Sequence, residues 1–260
     1  MMRIRETARG ADVAMIEPLL LTSTQISTYA GNQWLTSATG FFFERGKQLY
    51  LVTSRHVLVD RPSGHSPSRV EIGFHTDVKN LTRTCGLSIP LYQDGMSVWH
   101  QGSDTAGDID VAVIELERQA IPASALYQCF TPSHLQHPLR EVEVGAALLV
   151  VGFPLGFQDT LYHLPVVRQA TIASSFGLRF QGQGCFLTDA RTHRGSSGAP
   201  VVMHQSHDDS ALPWKLLGVH SSRLDVCTRN PQTDESLGLN CAWYADILMT
   251  LTQVRDTTRH

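Results

Sequence analysis

The feature that most constrains the fold is a succession of short β-rich runs separated by turn-forming residues. The runs are rich in Val, Ile, Leu and Phe, and Gly, Pro, Asn and Asp lie between them, as around LYLVTS, DVAVIELE, AALLVVGFP and GAPVVMH. Runs of this length and spacing are typical of antiparallel sandwiches or barrels and not of alternating βαβ units. The sequence therefore predicts an all-β protein.

Three connecting segments complete this prediction. The stretch ERGKQ (44–48) predicts a hairpin turn between two apolar strands. The stretch from Ala120 to Glu141 carries three prolines and no clean alternation, which predicts a crossover between two halves. Near the end of the chain, helical spacing of apolar residues predicts a C-terminal helix that packs on the body through Tyr244, Ile247, Leu248 and Leu251.

Charge, hydropathy and cysteine usage narrow the partners and the compartment. The 260 residues carry a formal net charge of -3, so no broad basic surface for nucleic acid is expected. No segment approaches the about 18 uninterrupted apolar residues that span a membrane, and Glu17 and Pro18 interrupt the best N-terminal candidate. Neither a membrane partner nor a secretory signal peptide is therefore expected. The five cysteines lie far apart without a CxxC pair, which predicts reduced thiols and a cytoplasmic location.

The segment HQSHDD (204–209) is the densest group of potential metal ligands among the 12 histidines of the chain. Because it lies between strand-like runs, the simpler interpretation is a polar loop. The sequence predicts no metal site and no cofactor.

The segment TDARTHRGSSGAPVV (188–202) contains two adjacent serines between glycines. A serine hydroxyl is a weak nucleophile that needs a base, a group that orients the base, and donors for the oxyanion. Gly195 has no side chain to block a close approach, so its N–H can point at a substrate carbonyl. Gly198 allows a sharp turn into APVV. The α/β-hydrolase elbow G-x-S-x-G is not matched, because Ala199 stands where its second glycine belongs.

The upstream part of the chain offers a base and its partner. LYLVTSRHVLVD places His56 just after an apolar strand, and GDIDVAVIEL places Asp110 at the mouth of a buried-looking strand. Taken singly, these are a turn histidine and a strand-start cap, and Ser197 is a loop hydroxyl. Together, in the order His, Asp, Ser, they predict a catalytic triad in the arrangement of chymotrypsin rather than that of subtilisin or the α/β-hydrolases.

These motifs together resemble those of the trypsin-like serine proteases of the chymotrypsin fold, closest to the bacterial HtrA/Deg-type and glutamyl-endopeptidase branches. VTSRHVL matches the catalytic-histidine motif, DIDVAVIEL the aspartate motif, and FLTDARTHRGSSGAPVV the nucleophile segment. VGFPLGFQDTLYHLPVVRQATIAS resembles the strand pair that opens the second barrel of that family. The resemblance covers residues Gly31 to Val254.

The resemblance implies two antiparallel six-stranded β-barrels with the active site between them, plus the C-terminal helix. Residues 1–25 are then an N-terminal extension. Residues 26–135 form the first barrel, which carries the histidine and aspartate of the triad. Residues 136–260 form the second barrel, with the nucleophilic serine and the helix.

The resemblance also implies a role for each residue at the site. Asp110, rather than Asp108, is the aspartate because it directly precedes the apolar strand. Ser197 is the nucleophile because glycine follows it directly, and the N–H groups of Gly195 and Ser197 form the oxyanion hole. Ser196 stands where digestive relatives have an aspartate that pairs with a new N-terminus, so activation by N-terminal insertion is not expected.

The resemblance further implies a primary pocket lined by Arg191, Thr192 and the segment GVHSSR (218–223), which contains His220 and Ser221. Arg191 is opposite in charge to the acid that trypsin uses, so a tryptic preference is not expected. Thr192 and His220 match the residues with which glutamyl endopeptidases hold an acidic side chain by charge-assisted hydrogen bonds. If His220 is instead a satisfied core histidine and Arg191 a surface residue, a small apolar preference follows, as in HtrA-type enzymes. Ser221 is expected on the strand that pairs with substrate backbone.

Two functions of different classes stay open. The first is an active serine endopeptidase that acts on a protein or peptide substrate. The second is a latent or catalytically silent protease-fold binding module that needs a partner for activity. The presence of all three triad residues favours an enzyme over a silent module, whereas an active and a latent enzyme need the same residues. Regulation by a partner protein therefore stays open.

Overall fold

The computed structural model describes residues 16–137, 141–205, 210–225 and 236–253, and within them two antiparallel sheets form the molecule. The first sheet has seven strands in the order β5-β4-β1-β2-β3-β9-β8. They are β1 (Ser23–Ala30), β2 (Gln33–Arg45), β3 (Gln48–Thr53), β4 (Arg69–His75), β5 (Thr84–Pro90), β8 (Trp99–Asp104) and β9 (Gly107–Leu116). A separate two-stranded ribbon consists of β6 (Tyr92–Gln93) and β7 (Met96–Ser97).

The second sheet has six strands in the order β11-β10-β13-β14-β15-β12. They are β10 (Ala147–Gly152), β11 (Val166–Thr171), β12 (Cys185–Thr188), β13 (Pro200–His204), β14 (Trp214–Asp225) and β15 (Ser236–Tyr244). The two edge strands of this sheet meet at their ends, where Ile172 and Thr188 form an isolated bridge and the N–H of Ala173 donates to the carbonyl oxygen of Leu187 at 2.8 Å.

The all-β class and the two-unit architecture are confirmed, with two differences from the expected pair of six-stranded barrels. The first sheet has seven strands. In the described part of the chain, neither sheet closes through a continuous ladder between its edge strands.

Helical segments are short in the described residues. The α-helices are α1 (Arg55–Leu58) and α2 (Leu248–Leu251). The 3₁₀ turns span Pro18–Thr22, Pro132–His134, Pro154–Gly156, Phe180–Gly182 and Ala245–Ile247. No helix in the described ranges is long and apolar enough to cross a membrane.

The run FFF (41–43) in the second half of β2 contributes side chains to two cores. Phe42 packs inside the first sheet, whereas Phe41 and Phe43 point to the opposite face and pack with residues of the second sheet such as Val202 and Trp243. Alternate side chains of a strand project to opposite faces, so a strand that is covered on both faces has a continuous apolar sequence. A third core lies inside the second sheet. The core between the sheets holds the two units together.

The connecting segments follow the sequence-based expectations in outline. The predicted hairpin turn joins β2 to β3 through Gly46, whose φ of +63° is in the left-handed region. The predicted crossover runs from β9 to β10, with residues 138–140 outside the described residues. Residues 23–25, assigned to the predicted N-terminal extension, belong to β1, and Leu19 before them is buried.

The C-terminal helix is present but shorter than its pattern suggested. Tyr244 belongs to β15 and packs in the core of the second sheet. Leu248 and Leu251 are buried in the core between the sheets. The carbonyl oxygen of Met249 accepts a hydrogen bond from Arg45 of β2. The chain therefore ends, in its described part, by returning from the second sheet to the first.

Two sequence-based expectations extend into undescribed segments. Cys85, Cys129, Cys185 and Cys241 are free thiols, and Cys227 lies outside the described residues. Of the HQSHDD segment, residues 206–209 lie outside them as well. Within the described ranges, no group of three or more His, Cys, Asp or Glu side chains is placed to hold a metal ion.

Candidate active site

His56 is placed by the strand that precedes it. Strand β3 ends at Thr53, and the one-turn helix α1 begins at Arg55, so the imidazole leaves the sheet at its edge. The backbone N–H of His56 donates to Oδ1 of Asp110 at 2.9 Å. Its Nδ1 lies 2.7 Å from Oδ2 of the same carboxylate. These two contacts fix both the position and the ring orientation of His56.

Asp110 lies in β9, which pairs with β3, so the sheet register brings it beside the start of α1. The hydroxyl of Ser221, on β14 of the second sheet, also donates to Oδ2 of Asp110. The carboxylate therefore accepts three hydrogen bonds, and one of them crosses between the sheets. Asp108 points elsewhere: its side chain is 60% exposed and forms a 3.8 Å ion pair with Arg55.

Ser197 completes the arrangement from the second sheet. Its Oγ lies 2.9 Å from Nε2 of His56 and 3.1 Å from the carbonyl oxygen of Ser221. With the Nδ1 proton directed at Asp110, Nε2 is unprotonated and faces the serine hydroxyl as an acceptor. Ser196 is buried, with 3% of its surface exposed, and so does not face the cleft.

The charges of this group are coupled. Burial favours neutral His56, but the hydrogen bond and negative charge of Asp110 outweigh it, so the pKa of His56 lies above its ordinary value. Burial likewise disfavours ionised Asp110, yet its hydrogen bonds and the proximity of His56 hold the pKa of this carboxyl below its ordinary value. The imidazolium form of His56 is thus stabilised by a carboxylate that remains ionised.

The segment from Arg194 to Ser197 presents backbone donors beside the hydroxyl. Gly195 has a φ of +91°, and a Cβ at this position would lie 2.5 Å from the carbonyl oxygen of Phe153. Among the residues that the structure describes, no hydrogen bond uses the N–H of Gly195 or the N–H of Ser197. Two unused N–H groups beside a serine hydroxyl can bind a developing oxyanion.

A cavity of about 280 Å³ lies on one side of Ser197. It is lined by His56, Thr192, His193, Arg194, Ser197, His220, Ser221, Ser222 and Arg223. Of the four pocket residues expected from sequence, the structure brings three to this cavity. The fourth, Arg191, is exposed and does not line it. Arg223, the last residue of the GVHSSR segment expected at the pocket, lines it, and so does Arg194, which was not among the expected pocket residues.

His220 and Thr192 differ in what they offer a ligand. The Thr192 hydroxyl donates to Oδ1 of Asn240 at 2.6 Å, so its proton is already used. His220 is buried, and its Nδ1 has no hydrogen-bond partner in the described structure. Burial, followed by the nearby His56, lowers the pKa of His220 to about 4. His220 is therefore neutral near pH 7 and has an unsatisfied ring nitrogen.

A second cavity, of about 530 Å³, lies on the other side of the triad. It also contains His56, Arg194 and Ser197, and its further walls include Ser37 and Asp60. The Ser197 hydroxyl thus lies between two cavities along the junction of the sheets. This is the arrangement that a chain passing through the site would need.

The fold and this arrangement are those of the trypsin-like peptidases of the chymotrypsin fold. The model of the trypsin-like peptidase domain family matches residues 38–207, and the chain belongs to that family. Among solved structures, the fold is similar to that of the serine endoprotease from Yersinia pestis, with a TM-score of 0.52 and 17% sequence identity. That alignment covers 94% of this chain and 66% of the Yersinia chain.

Proposed function

We propose that this protein is a serine endopeptidase in which Ser197 is the nucleophile, His56 the general base and Asp110 the group that orients the base. The observation that carries this proposal is the position of the His56 imidazole. It lies 2.7 Å from a carboxylate oxygen on one side and 2.9 Å from the serine hydroxyl on the other. These distances are within the range for direct proton transfer.

In the acylation step, Ser197 Oγ attacks the substrate carbonyl while its proton moves to Nε2 of His56. The ionised Asp110 stabilises the imidazolium, and the N–H groups of Gly195 and Ser197 receive the oxyanion. The imidazolium then protonates the leaving amine, which releases the first product. Water, deprotonated by the same Nε2, attacks the acyl-enzyme and restores the free hydroxyl. These steps need no metal or cofactor.

The two cavities support endopeptidase rather than terminal-residue chemistry. Each is partly bounded by the triad, and both are open to solvent along the cleft. Peptide segments on both sides of the cleaved bond can therefore be accommodated. The unused N–H groups at Gly195 and Ser197 also support an active enzyme over a latent form, because a latent oxyanion loop turns a carbonyl into this position.

We further propose that the residue before the cleaved bond is acidic. Two arginines, Arg194 and Arg223, line the smaller cavity, and no aspartate or glutamate among the described residues does. His220 contributes a buried imidazole with an unpartnered nitrogen. A carboxylate placed beside it would favour protonation of the ring and create a charge-assisted hydrogen bond. A small apolar residue would leave this nitrogen unsatisfied, which is unfavourable.

Labelling with a fluorophosphonate probe tests the nucleophile, with Ser197→Ala and Ser196→Ala as a matched pair. Labelling should be lost in Ser197→Ala and retained in Ser196→Ala, and peptide hydrolysis by Ser197→Ala should fall by about 10⁶ in kcat. If the folded wild-type protein is not labelled, the assignment of an assembled active site is wrong.

Matched peptides that differ only in Glu, Gln or Ala before the cleaved bond test the preference. Glu should be cleaved fastest, and Arg223→Ala should reduce the Glu-to-Gln ratio of kcat/KM by about two- to fivefold, as for an exposed ion pair. Arg191→Ala is the control, because that side chain does not line the cavity and should leave the ratio unchanged. Equal rates for all three peptides would exclude an acid-binding pocket.

A further inference from the structure

The loop that carries the oxyanion donors has no charged side chain at residue 196. Ser196 is uncharged and buried, and its N–H donates to the carbonyl oxygen of His193 at 3.1 Å. The carbonyl oxygen of Ser196 accepts a hydrogen bond from Ala199 at 3.0 Å. The bond to Ala199 therefore fixes the Ser196–Ser197 peptide plane, which carries the N–H of Ser197, whereas the Arg194–Gly195 plane, which carries the N–H of Gly195, needs a contact from outside the loop.

Leu155 determines the orientation of the Arg194–Gly195 peptide plane. Its N–H donates to the carbonyl oxygen of Arg194 at 2.5 Å. In a trans peptide, the C=O of one residue and the N–H of the next point in opposite directions. The bond from Leu155 to Arg194 therefore turns the N–H of Gly195 away from Leu155. A flipped Arg194–Gly195 peptide would lose this bond and place a carbonyl oxygen among the oxyanion donors.

Leu155 makes this contact in an unusual conformation. Its φ is +56° and its ψ is +22°, which is the left-handed region, although it is not a glycine. Its side chain is 70% exposed, so packing of the side chain does not account for the conformation. Left-handed backbone costs about 1–2 kcal/mol for ordinary L residues, and it persists where surrounding contacts hold it. The bond to Arg194 is such a contact.

Thr39 links the same turn to the loop from the first sheet. Its hydroxyl accepts a hydrogen bond from the N–H of Phe153 at 3.0 Å and donates one to the carbonyl oxygen of Gly195 at 2.7 Å. Its own N–H donates to the carbonyl oxygen of Ser197 at 3.0 Å. Thr39 is fully buried, so water does not compete for these groups.

Together these bonds account for the four carbonyls of the segment from Arg194 to Ser197. The carbonyl oxygens of Arg194, Gly195 and Ser197 accept hydrogen bonds from Leu155 or Thr39, and that of Ser196 accepts one within the loop. Because the carbonyls are engaged elsewhere, the N–H groups of Gly195 and Ser197 are left facing the cleft.

We propose that Thr39 and Leu155 are positioning residues that hold the oxyanion hole open through uncharged hydrogen bonds, in place of an ion pair at residue 196. This proposal rests on the proposed peptidase function, since it assigns the role of a loop in that reaction. By this proposal, the active conformation of the loop depends on the contact between β2 and the Phe153–Gly156 turn.

Substitutions at Leu155 test the backbone conformation directly, because the exposed side chain has little packing to lose. Leu155→Asn should retain wild-type kcat, because asparagine tolerates left-handed backbone. Leu155→Val should lower kcat by about 10- to 100-fold, because a β-branched residue is strongly disfavoured at positive φ. The upper limit of the expected decrease in kcat is set by complete loss of one oxyanion donor, which lowers kcat by about 10²–10³. KM should change by less than about threefold in both variants, since the ground-state carbonyl uses these donors weakly.

Substitutions at Thr39 test the hydroxyl. Thr39→Val removes both side-chain hydrogen bonds, and Thr39→Ser retains them. The valine variant should lose kcat and bind a peptide aldehyde, which forms a charged tetrahedral adduct, about 10- to 100-fold more weakly. The serine variant should restore both values. A role confined to stability would change the unfolding midpoint without this dependence on the hydroxyl.

Fluorophosphonate labelling rates separate the two proposals. If labelling depends on Thr39 and Leu155 as expected but no peptide is cleaved, the peptidase function is wrong and the positioning role stands. If peptides are cleaved and Thr39→Val and Leu155→Val behave as wild type, the positioning role is overturned alone. If the folded wild type is not labelled, both are overturned. If Thr39→Val does not fold, the Leu155 pair decides.

Discussion

Gly198 follows Ser197 and lies against Thr39 and Thr53 of the first sheet, and the structure allows the cost of replacing it by alanine to be worked out. Its φ is +86°, and an added Cβ would lie 2.2 Å from the carbonyl oxygen of Thr39 and 2.3 Å from Oγ1 of Thr53. The left-handed conformation costs about 1–2 kcal/mol for a non-glycine residue. Displacing backbone and a buried hydroxyl by an ångström adds about 1–3 kcal/mol, as for an overpacked core.

Gly198→Ala should therefore lower the free energy of unfolding by about 2–5 kcal/mol. Gly46→Ala is the matched control, because Gly46 has a φ of +63° and nothing within 4 Å of an added Cβ. In this control, the free energy of unfolding should fall only by the cost of the left-handed conformation, about 1–2 kcal/mol. Denaturant titration of wild type and both variants measures the difference.

Activity should separate the two variants further. The N–H of Gly198 donates to the carbonyl oxygen of His220 at 2.8 Å, so a shift of Gly198 moves both the nucleophile and the pocket. Gly198→Ala should lose most of its kcat, whereas Gly46→Ala should retain it. Equal loss of unfolding free energy in the two variants would refute the steric reasoning, and full activity of Gly198→Ala would refute the functional part.

Three further predictions concern titrating groups. Because protonated His56 cannot act as a base, kcat/KM should rise with pH through a pKa above the ordinary 6.5. The negative charge of Asp60 raises the pKa of His56, so Asp60→Asn should shift the profile to lower pH. The positive charge of Arg55 lowers this pKa, so Arg55→Gln should shift the profile to higher pH. The assigned effects of these charges would be contradicted if the pH profile of kcat/KM did not shift in the variants, or shifted in the same direction in both. Asp110→Asn should lower kcat by about 10⁴ with little change in KM, and a loss below tenfold would contradict the orienting role. Neutral His220, with a pKa lowered to about 4 in the folded state, contributes stability that is present above pH 6.5 and is lost as pH falls toward 4. His220→Gln should therefore show a smaller decrease in unfolding free energy than wild type between pH 7 and 5, and equal decreases would contradict the lowered pKa.

The strand pattern and the order of the chemistry-bearing residues could be predicted because both are local properties. An apolar run bounded by turn residues specifies a strand wherever it packs. The motifs around His56, Asp110 and Ser197 each combine a reactive side chain with the end of such a run. The structure brings these three side chains within hydrogen-bond distance, as their order suggested.

The number of strands and the bounds of the helices and strands were harder to predict from the sequence. The seventh strand of the first sheet and the open ladders depend on how far each strand pairs with its neighbour, and tertiary packing decides that. Tyr244 illustrates the same point at the C-terminus. Its spacing fits a helix, but pairing of β15 with β14 keeps it in a strand.

The pocket could be predicted only in part. Thr192, His220 and Ser221 were found through their positions relative to the nucleophile. Arg191 was expected in the pocket and lies outside it, while Arg223 on β14 lines it. Side chains that are neighbours in sequence point in different directions once the loop folds, so a pattern of residue types does not specify which one faces the cavity.

The sequence by itself determined the all-β class, the family and the three residues proposed for the reaction, because these depend on residue type, order and local pattern. Only the tertiary structure decided how the oxyanion donors are held. Thr39 contacts Gly195 across 156 residues of chain, and Leu155 contacts Arg194 through its backbone in a conformation that leucine rarely adopts. Contacts between backbone groups far apart in sequence leave almost no mark on residue identity, so they become visible only when the two sheets are packed together.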